Sequence, residues 1–460
     1  MLRNFLIALL SFLLSPLFSQ YSIHLSVQGI QDGKCYLFSY YGIHLYPVDS
    51  AIFNSHGEAL LENPRHALPP GIYLLAVNSS LSFPLPIEGE TNIAITMDTS
   101  RLFSNLQIKG SKILEEYADY VKIKTGLQYR QLTYERALAS CSSDSVAYWQ
   151  EKINALYPAL RQKQDVMKDK FKGSLLEVYM TLSQKPSFQR FTPGDSLPEN
   201  FTNLYQRYVQ HYFDNISFSY EPLVRIPEFE ERLAFFFTYV LPQQQDTLIK
   251  YMDHMLRLCE SSQEVYKFVL RWFFNASYSR HGEKTYEPCF IHLVDHYYLQ
   301  GKAFWAKEDF LRMLAERVEL MRPTLYGKKV PDISLMNPDG KRISLYQIQS
   351  PYTILYFYEY DCGICQRETP KLMELYKAYK GKVEVMAVYL YADKSKWIDY
   401  ITKNKLTWIN VHDPEKESNL RKLFFIQQVP DIFLLDREKK VLEKHITAEK
   451  LQHLLPSLIK

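Results

Sequence analysis

The spacing of apolar and polar residues changes character several times along the chain. After one basic residue, Arg3, an apolar run extends from Phe5 to Phe18, broken only by Ser and Pro. It is short and lightly flanked for a membrane span, and Ser19 puts a small residue before a cut at Gln20. Residues 1–19 therefore read as a secretory signal peptide, with an uncleaved anchor as the alternative. From Gln20 to about Gly110 the period is two: Ile23, Leu25 and Val27 alternate with polar neighbours, and short β-prone runs such as Ile72–Val77 and Ile93–Thr96 follow. Gly57, Pro69-Pro70-Gly71 and Gly89 fall between them, a spacing that predicts a small all-β sandwich over residues 20–110.

From Ser111 to about Pro323 the period becomes helical. Ser145–Phe171 and Gln263–Asn275 contain no Gly, and Pro227 with Glu228, Glu230 and Glu231 makes a good helix start. No repeat emerges, so residues 111–323 are expected to form an all-helical domain without a solenoid signature. The clusters Phe235–Phe237 and Trp272–Phe274 belong to its core. After the linker Thr324–Lys329 the pattern changes again. Asn337-Pro338-Asp339-Gly340 between apolar positions predicts a hairpin. Thr353–Tyr358 predicts a buried central strand. A helix over Gly363–Tyr379 follows, then strand Val383–Tyr389, helix Lys394–Lys403, strand Trp408–Val411, helix Glu415–Phe425, strands Ile432–Leu435 and Val441–Lys444, and helix Ala448–Leu458. Alternation of this kind describes an α/β sheet over residues 324–460.

A chain of 460 residues is too long for one core, and 47% hydrophobic with 23% charged residues is a globular composition. The formal charge of +3, with no long basic run, argues against nucleic acid as a partner. Six cysteines are too few for a disulfide scaffold. Cys259 and Cys289 lie in the helical region, either paired or as buried free thiols.

Cys362-Gly363-Ile364-Cys365 is the candidate chemistry. The reacting species of a thiol is its thiolate, and a helix N-terminus stabilises it with unpaired N–H groups and a partial positive charge. Two intervening residues bring both sulfurs within disulfide reach. Cys362 is expected to attack and Cys365, one turn inward, to resolve. His292-Leu293-Val294-Asp295-His296 approaches an inverted zinc-protease spacing, but Asp stands for Glu and a third ligand is missing, so no metal site is expected. A peroxidase on the same sheet would need a Thr hydroxyl three residues before its cysteine, where this chain has Glu359.

Residues Val330–Lys460 resemble the TlpA/ResA-like thioredoxins. The matching residues are the lead-in Val330–Leu335, the hairpin Asp339-Gly340-Lys341, the dithiol, Glu368 with Pro370, and Pro430. The resemblance implies a thioredoxin-like fold, a redox-active Cys362–Cys365 disulfide with no other cofactor, and a cis Pro430 beside the dithiol, where the Val429 backbone pairs with a substrate strand. It also implies an exported thiol–disulfide oxidoreductase acting on disulfide-containing envelope proteins, most often as a reductant, with electrons from a membrane-embedded thiol donor. A soluble periplasmic location follows from the leader. Upstream, Gln20–Gly110 and Phe290–Tyr298 resemble accessory domains of unknown function on envelope thioredoxin-like proteins of Gram-negative anaerobes. Three departures bear on tuning: Asp361 replaces the usual Trp, Ile364 replaces Pro, and Tyr356 replaces a buried Asp. Asp361 is expected to raise the neighbouring thiol pKa, and Glu359 or water to move the proton, with Glu368 a further tuning residue. A non-catalytic envelope binding protein, using the thioredoxin fold to dock, remains the alternative.

Overall fold

A computed structural model of the chain describes residues 21–101, 103–184, 201–391, 393–413 and 419–459. The expected leader, 1–19, and the first turn of the expected helix at Glu415 lie outside these residues. Contacts group the chain into two compact units, Met1–Pro242 with Asp253–Val269, and Gln243–Met252 with Leu270–Lys460. Among the described residues no helix is long and apolar enough to cross a membrane.

The first unit opens with eight strands: β1 (Tyr21–Gln28), β2 (Lys34–Tyr41), β3 (His44–Ile52), β4 (Glu58–Asn63), β5 (Gly71–Ala76), β6 (Ser82–Ile87), β7 (Asn92–Asp98) and β8 (Gln107–Lys109). They form two four-stranded sheets, ordered β4-β1-β7-β8 and β3-β2-β5-β6. The period of two in the sequence is the pleat itself: Ile23, Leu25 and Val27 are buried while His24, Ser26 and Gln28 face water. Ile93, Ile95 and Met97 repeat the pattern in register on the parallel neighbour β7. Helix α1 (Lys112–Ser140) starts where Ser111 accepts the N–H of Leu114 at 3.3 Å, and its first turns bury Leu114, Tyr117 and Tyr120. The Tyr117 hydroxyl donates to the Pro84 carbonyl at 2.7 Å, tying α1 to β6.

The helical stretch continues as α2 (Val146–Asn154), α3 (Leu156–Lys170), α4 (Leu175–Ser183), α5 (Phe201–Gln210), α6 (Pro227–Phe235), α7 (Gln245–Leu258), α8 (Gln263–Tyr278), α9 (Tyr286–Leu293) and α10 (Glu308–Met321). Pro227 occupies the first turn of α6, where its missing N–H costs nothing. Phe236, Phe237, Phe273 and Phe274 are buried, whereas Phe235 is exposed. The stretch is shared between the two units: an amphipathic helix is assigned by what its apolar stripe covers, not by its place in the chain. Cys259 and Cys289 are both buried free thiols.

The second unit is built on a seven-stranded sheet, ordered β10-β9-β13-β12-β11-β14-β15. Its strands are β9 (Ser334–Met336), β10 (Arg342–Ser344), β11 (Tyr352–Tyr358), β12 (Val383–Tyr389), β13 (Ile409–His412), β14 (Asp431–Leu435) and β15 (Val441–Glu443). β9 and β10 form the expected hairpin, with Gly340 at φ +79° in its turn. Among the described residues, helices α11 (Gly363–Ala378), α12 (Lys394–Asn404), α13 (Leu420–Leu423) and α14 (Ala448–Leu458) flank the sheet. Ile354, Tyr356 and Tyr358 on one face of β11 pack with α11, α12 and α14. Leu355 and Phe357 on the other pack with residues of the lead-in and the α13 segment, among them Ile333, Leu335 and Phe424.

Candidate functional site

Strand β11 carries no charged residue, and every residue after Tyr352 is buried, because β12 runs parallel on one side, β14 antiparallel on the other, and both faces are covered. It delivers the chain to Cys362 at the sheet's C-terminal edge. Cys362 is the N-cap of α11, at φ −78° and ψ 108°, and its Sγ accepts the N–H of Cys365 at 3.1 Å. A Ser or Asp oxygen usually fills this role; here the acceptor is the sulfur itself. Cys362 and Cys365 are joined as a disulfide with Cα atoms 5.2 Å apart. Cys362 is half-buried and Cys365 fully buried, one turn inward. Between them Ile364 is 52% exposed, an apolar side chain on the rim of the dithiol.

The Val429–Pro430 peptide bond is cis, and the Val429 carbonyl oxygen lies 3.5 Å from Cys362 Sγ. In the reduced state the Cys362 thiol can donate to it. Both residues are half-buried, so the loop's backbone borders the sulfur without sealing it.

The remaining residues singled out by sequence fall into different surroundings. Asp361 is exposed beside Cys362. Glu359 is half-buried and paired with Arg421 of α13. Glu368 is buried on α11, accepting the N–H of Ala448 at 2.6 Å and the ammonium of Lys371 at 3.1 Å. That carboxylate meets the N-terminus of α14, where a negative charge is favoured, and so docks the last helix onto α11. Asp295 gives both oxygens to Arg322 at 2.9 Å, which occupies the acid of the His292–His296 motif.

Tyr356, in the place of a buried acid, is wholly buried beneath Cys365. Its hydroxyl lies 2.9 Å from Thr369 Oγ1 and donates to the Cys365 carbonyl at 3.3 Å. Thr369 also donates to that carbonyl at 2.8 Å and meets the Tyr400 hydroxyl at 2.9 Å. Burial pushes the Tyr356 phenol far above its ordinary pKa, so the group stays neutral and braces the helix instead of exchanging protons. Thr369, one turn after Cys365, and Tyr400, from α12, were not singled out in the sequence. The helical spacing pointed at Thr369; nothing local pointed at Tyr400. Tyr360 is a third omission. Its hydroxyl accepts from Lys396 Nζ at 2.9 Å, its carbonyl accepts from Gln366 Nε2 at 3.0 Å, and its ring lies 6.2 Å from that of Tyr391. Together with the Glu359–Arg421 pair, these contacts hold the turn leading into Cys362 from α11, α12 and α13.

Comparison with known proteins places this geometry. Residues 326–444 match the AhpC/TSA family, and residues 21–117 match a domain of unknown function, DUF4369. The thiol-disulfide oxidoreductase ResA of Bacillus cereus is 30% identical over 139 residues, which are 29% of this chain and 78% of that protein. A thioredoxin-like protein of Haemophilus influenzae is 28% identical over 123 residues, 26% of this chain and 71% of that one. A solved domain of a possible thiol-disulfide isomerase from Cytophaga hutchinsonii is 32% identical, covering 30% of this chain and 94% of that one, with a TM-score of 0.28. Through its C-terminal third, with two cysteines at disulfide distance on a thioredoxin-like sheet, the chain belongs to the ResA-like thiol-disulfide oxidoreductases.

Proposed function

We propose that the protein works outside the cytoplasm as a reductant of disulfides in envelope proteins, with Cys362 as the attacking sulfur and Cys365 as the resolving one. One observation carries the division of labour: the half-exposed Cys362 Sγ sits on the N–H of Cys365 at the start of α11, while Cys365 is sealed against the sheet. The helix charge and that N–H stabilise a thiolate at Cys362, and the exposed Asp361 carboxylate works against them. The Cys362 thiolate attacks a substrate disulfide, forming a mixed disulfide and releasing one substrate thiol. Cys365 then attacks Cys362, releasing the second thiol and leaving the Cys362–Cys365 disulfide. Two electrons and two protons from a membrane-embedded dithiol restore the reduced state, and no cofactor beyond the two sulfurs takes part. The Val429 backbone, beside Cys362, is suited to pair with the extended substrate strand.

Two variants test the assignment. Cys365→Ser should accumulate mixed disulfides on Cys362, and Cys362→Ser should accumulate none, read by non-reducing gels and mass spectrometry after acid quenching. Equal adducts in both, or adducts only through Cys365, would reverse the roles. No adduct in either, with an unreactive pair on alkylation, would favour a docking module over an enzyme.

A further inference from the structure

The strand that follows the Val429–Pro430 loop begins with an acid, Asp431, which is 4% exposed. Both its carboxylate oxygens lie 3.0 Å from Nδ1 of His445, so that nitrogen carries the proton and donates. His445 stands in the left-handed region at φ +53°, a conformation disfavoured for a residue with a Cβ and retained where the surroundings over-determine it. They do so here. On one flank the Ile446 N–H bonds the Ile432 carbonyl at 3.4 Å, and the Phe433 ring lies 5.3 Å from the imidazole. On the other flank Lys444 is buried, its ammonium paired with Glu287 of α9 and donating to the Thr324 carbonyl at 2.8 Å. A continuous set of contacts thus runs from a helix of the accessory region to the loop bordering the reactive sulfur: Glu287 to Lys444, Lys444 to its neighbour His445, His445 to Asp431, and Asp431 to Val429–Pro430.

We propose that α9 is a positioning element of the oxidoreductase: Glu287 anchors Lys444, which sets His445 against Asp431 and so fixes the loop beside Cys362. This rests on the reading of Val429 as the substrate-pairing backbone. A strand docked along that loop is aligned only as well as the loop is held, and displacements near 1 Å at a reacting centre cost roughly a hundredfold in rate. A small disulfide that touches only the sulfur makes no such demand. His445 and Glu287 therefore act on substrates that dock, and touch no reacting atom themselves.

The test compares two substrates on the full chain: a disulfide-bonded peptide and a small aromatic disulfide. His445→Ala, and separately Lys444→Met, should raise KM for the peptide about tenfold. Turnover of the small disulfide should change less than twofold. His445→Asn, which keeps a donor and tolerates the left-handed backbone, should recover most of the loss. If His445→Ala does not fold, His445→Gln and Lys444→Met carry the same comparison. Peptide KM within twofold of wild type in folded variants, or equal loss with both substrates, would overturn the proposal. Wild-type protein inert toward both substrates would instead overturn the oxidoreductase reading on which it rests.

Discussion

Replacing Lys444 with Met strands a carboxylate. The side chains of Lys444 and Glu287 are 1% and 2% exposed, and Lys444 also serves the Thr324 carbonyl. Burial pushes the Glu287 carboxyl up and the Lys444 amine down, each against its attraction to the other. A raised carboxyl adds stability below its unfolded pKa and loses it as pH rises through the folded value. A lowered amine adds stability above its unfolded pKa and loses it as pH falls through the folded value. At neutral pH both charges thus work against desolvation, and the pair stabilises little beyond what it offsets. Without Lys444 the cheapest escape for Glu287 is to take up a proton. At 1.36 kcal/mol per pH unit above an ordinary Glu pKa, that costs about 4 kcal/mol at pH 7 and about 1 kcal/mol at pH 5. Single removal of a buried partner typically costs about 3–5 kcal/mol, which agrees. Hydrogen exchange in peptides spanning β14 and β15 is the assay, because it reads this unit without requiring the whole chain to unfold in one step. Lys444→Met should speed exchange there roughly a hundred- to a thousandfold at pH 7, at 1.4 kcal/mol per decade. After correction for intrinsic exchange the excess should shrink toward pH 5, and Glu287→Leu/Lys444→Met should restore most of the protection. A single variant whose defect ignores pH, or a double variant as labile as the single, would refute the reasoning.

Glu228, at the start of α6, is pushed up to about 7 by burial. Its contribution to stability is present below the ordinary carboxyl range and lost as pH rises through about 7, so Glu228→Gln should gain about 3 kcal/mol in the first unit at pH 8. The gain should vanish near pH 4 in denaturant titrations, and a pH-independent effect would contradict the burial argument. Thr369→Val should cost about 1–3 kcal/mol by leaving the buried Tyr400 hydroxyl without its partner, whereas Tyr356→Phe should cost about 1 kcal/mol because Thr369 keeps two bonds. Equal losses in urea unfolding would show that Thr369 is not the hub. Glu368→Gln weakens a charge-assisted bond to the N-terminus of α14 and should cost about 1–2 kcal/mol, visible as faster exchange in α14 and absent if the carboxylate only faces solvent.

What could be read along the chain was whatever local spacing encodes. The period of two in Ile23–Val27, the helix start at Pro227, the turn at Asp339-Gly340 and the unbroken β-prone run before Cys362 are each statements about neighbours a few residues apart, and backbone geometry turns them directly into strands, helices and caps. The placement of Cys362 at a helix N-terminus belongs with them, because a strand followed at once by a helix leaves few other positions for it. Tertiary structure decided what joins residues far apart in sequence. Glu359 stands near the dithiol in the chain, and Arg421 reaches it across 62 residues. Glu368 finds the N-terminus of α14 across 80 residues, and Lys444 finds Glu287 across 157. Those partners were not legible, since a buried charge must be paired but nothing in its own segment says with what. The same reason splits the helical stretch between two units: its apolar stripes announce that they need cover, and only packing decides which neighbour provides it.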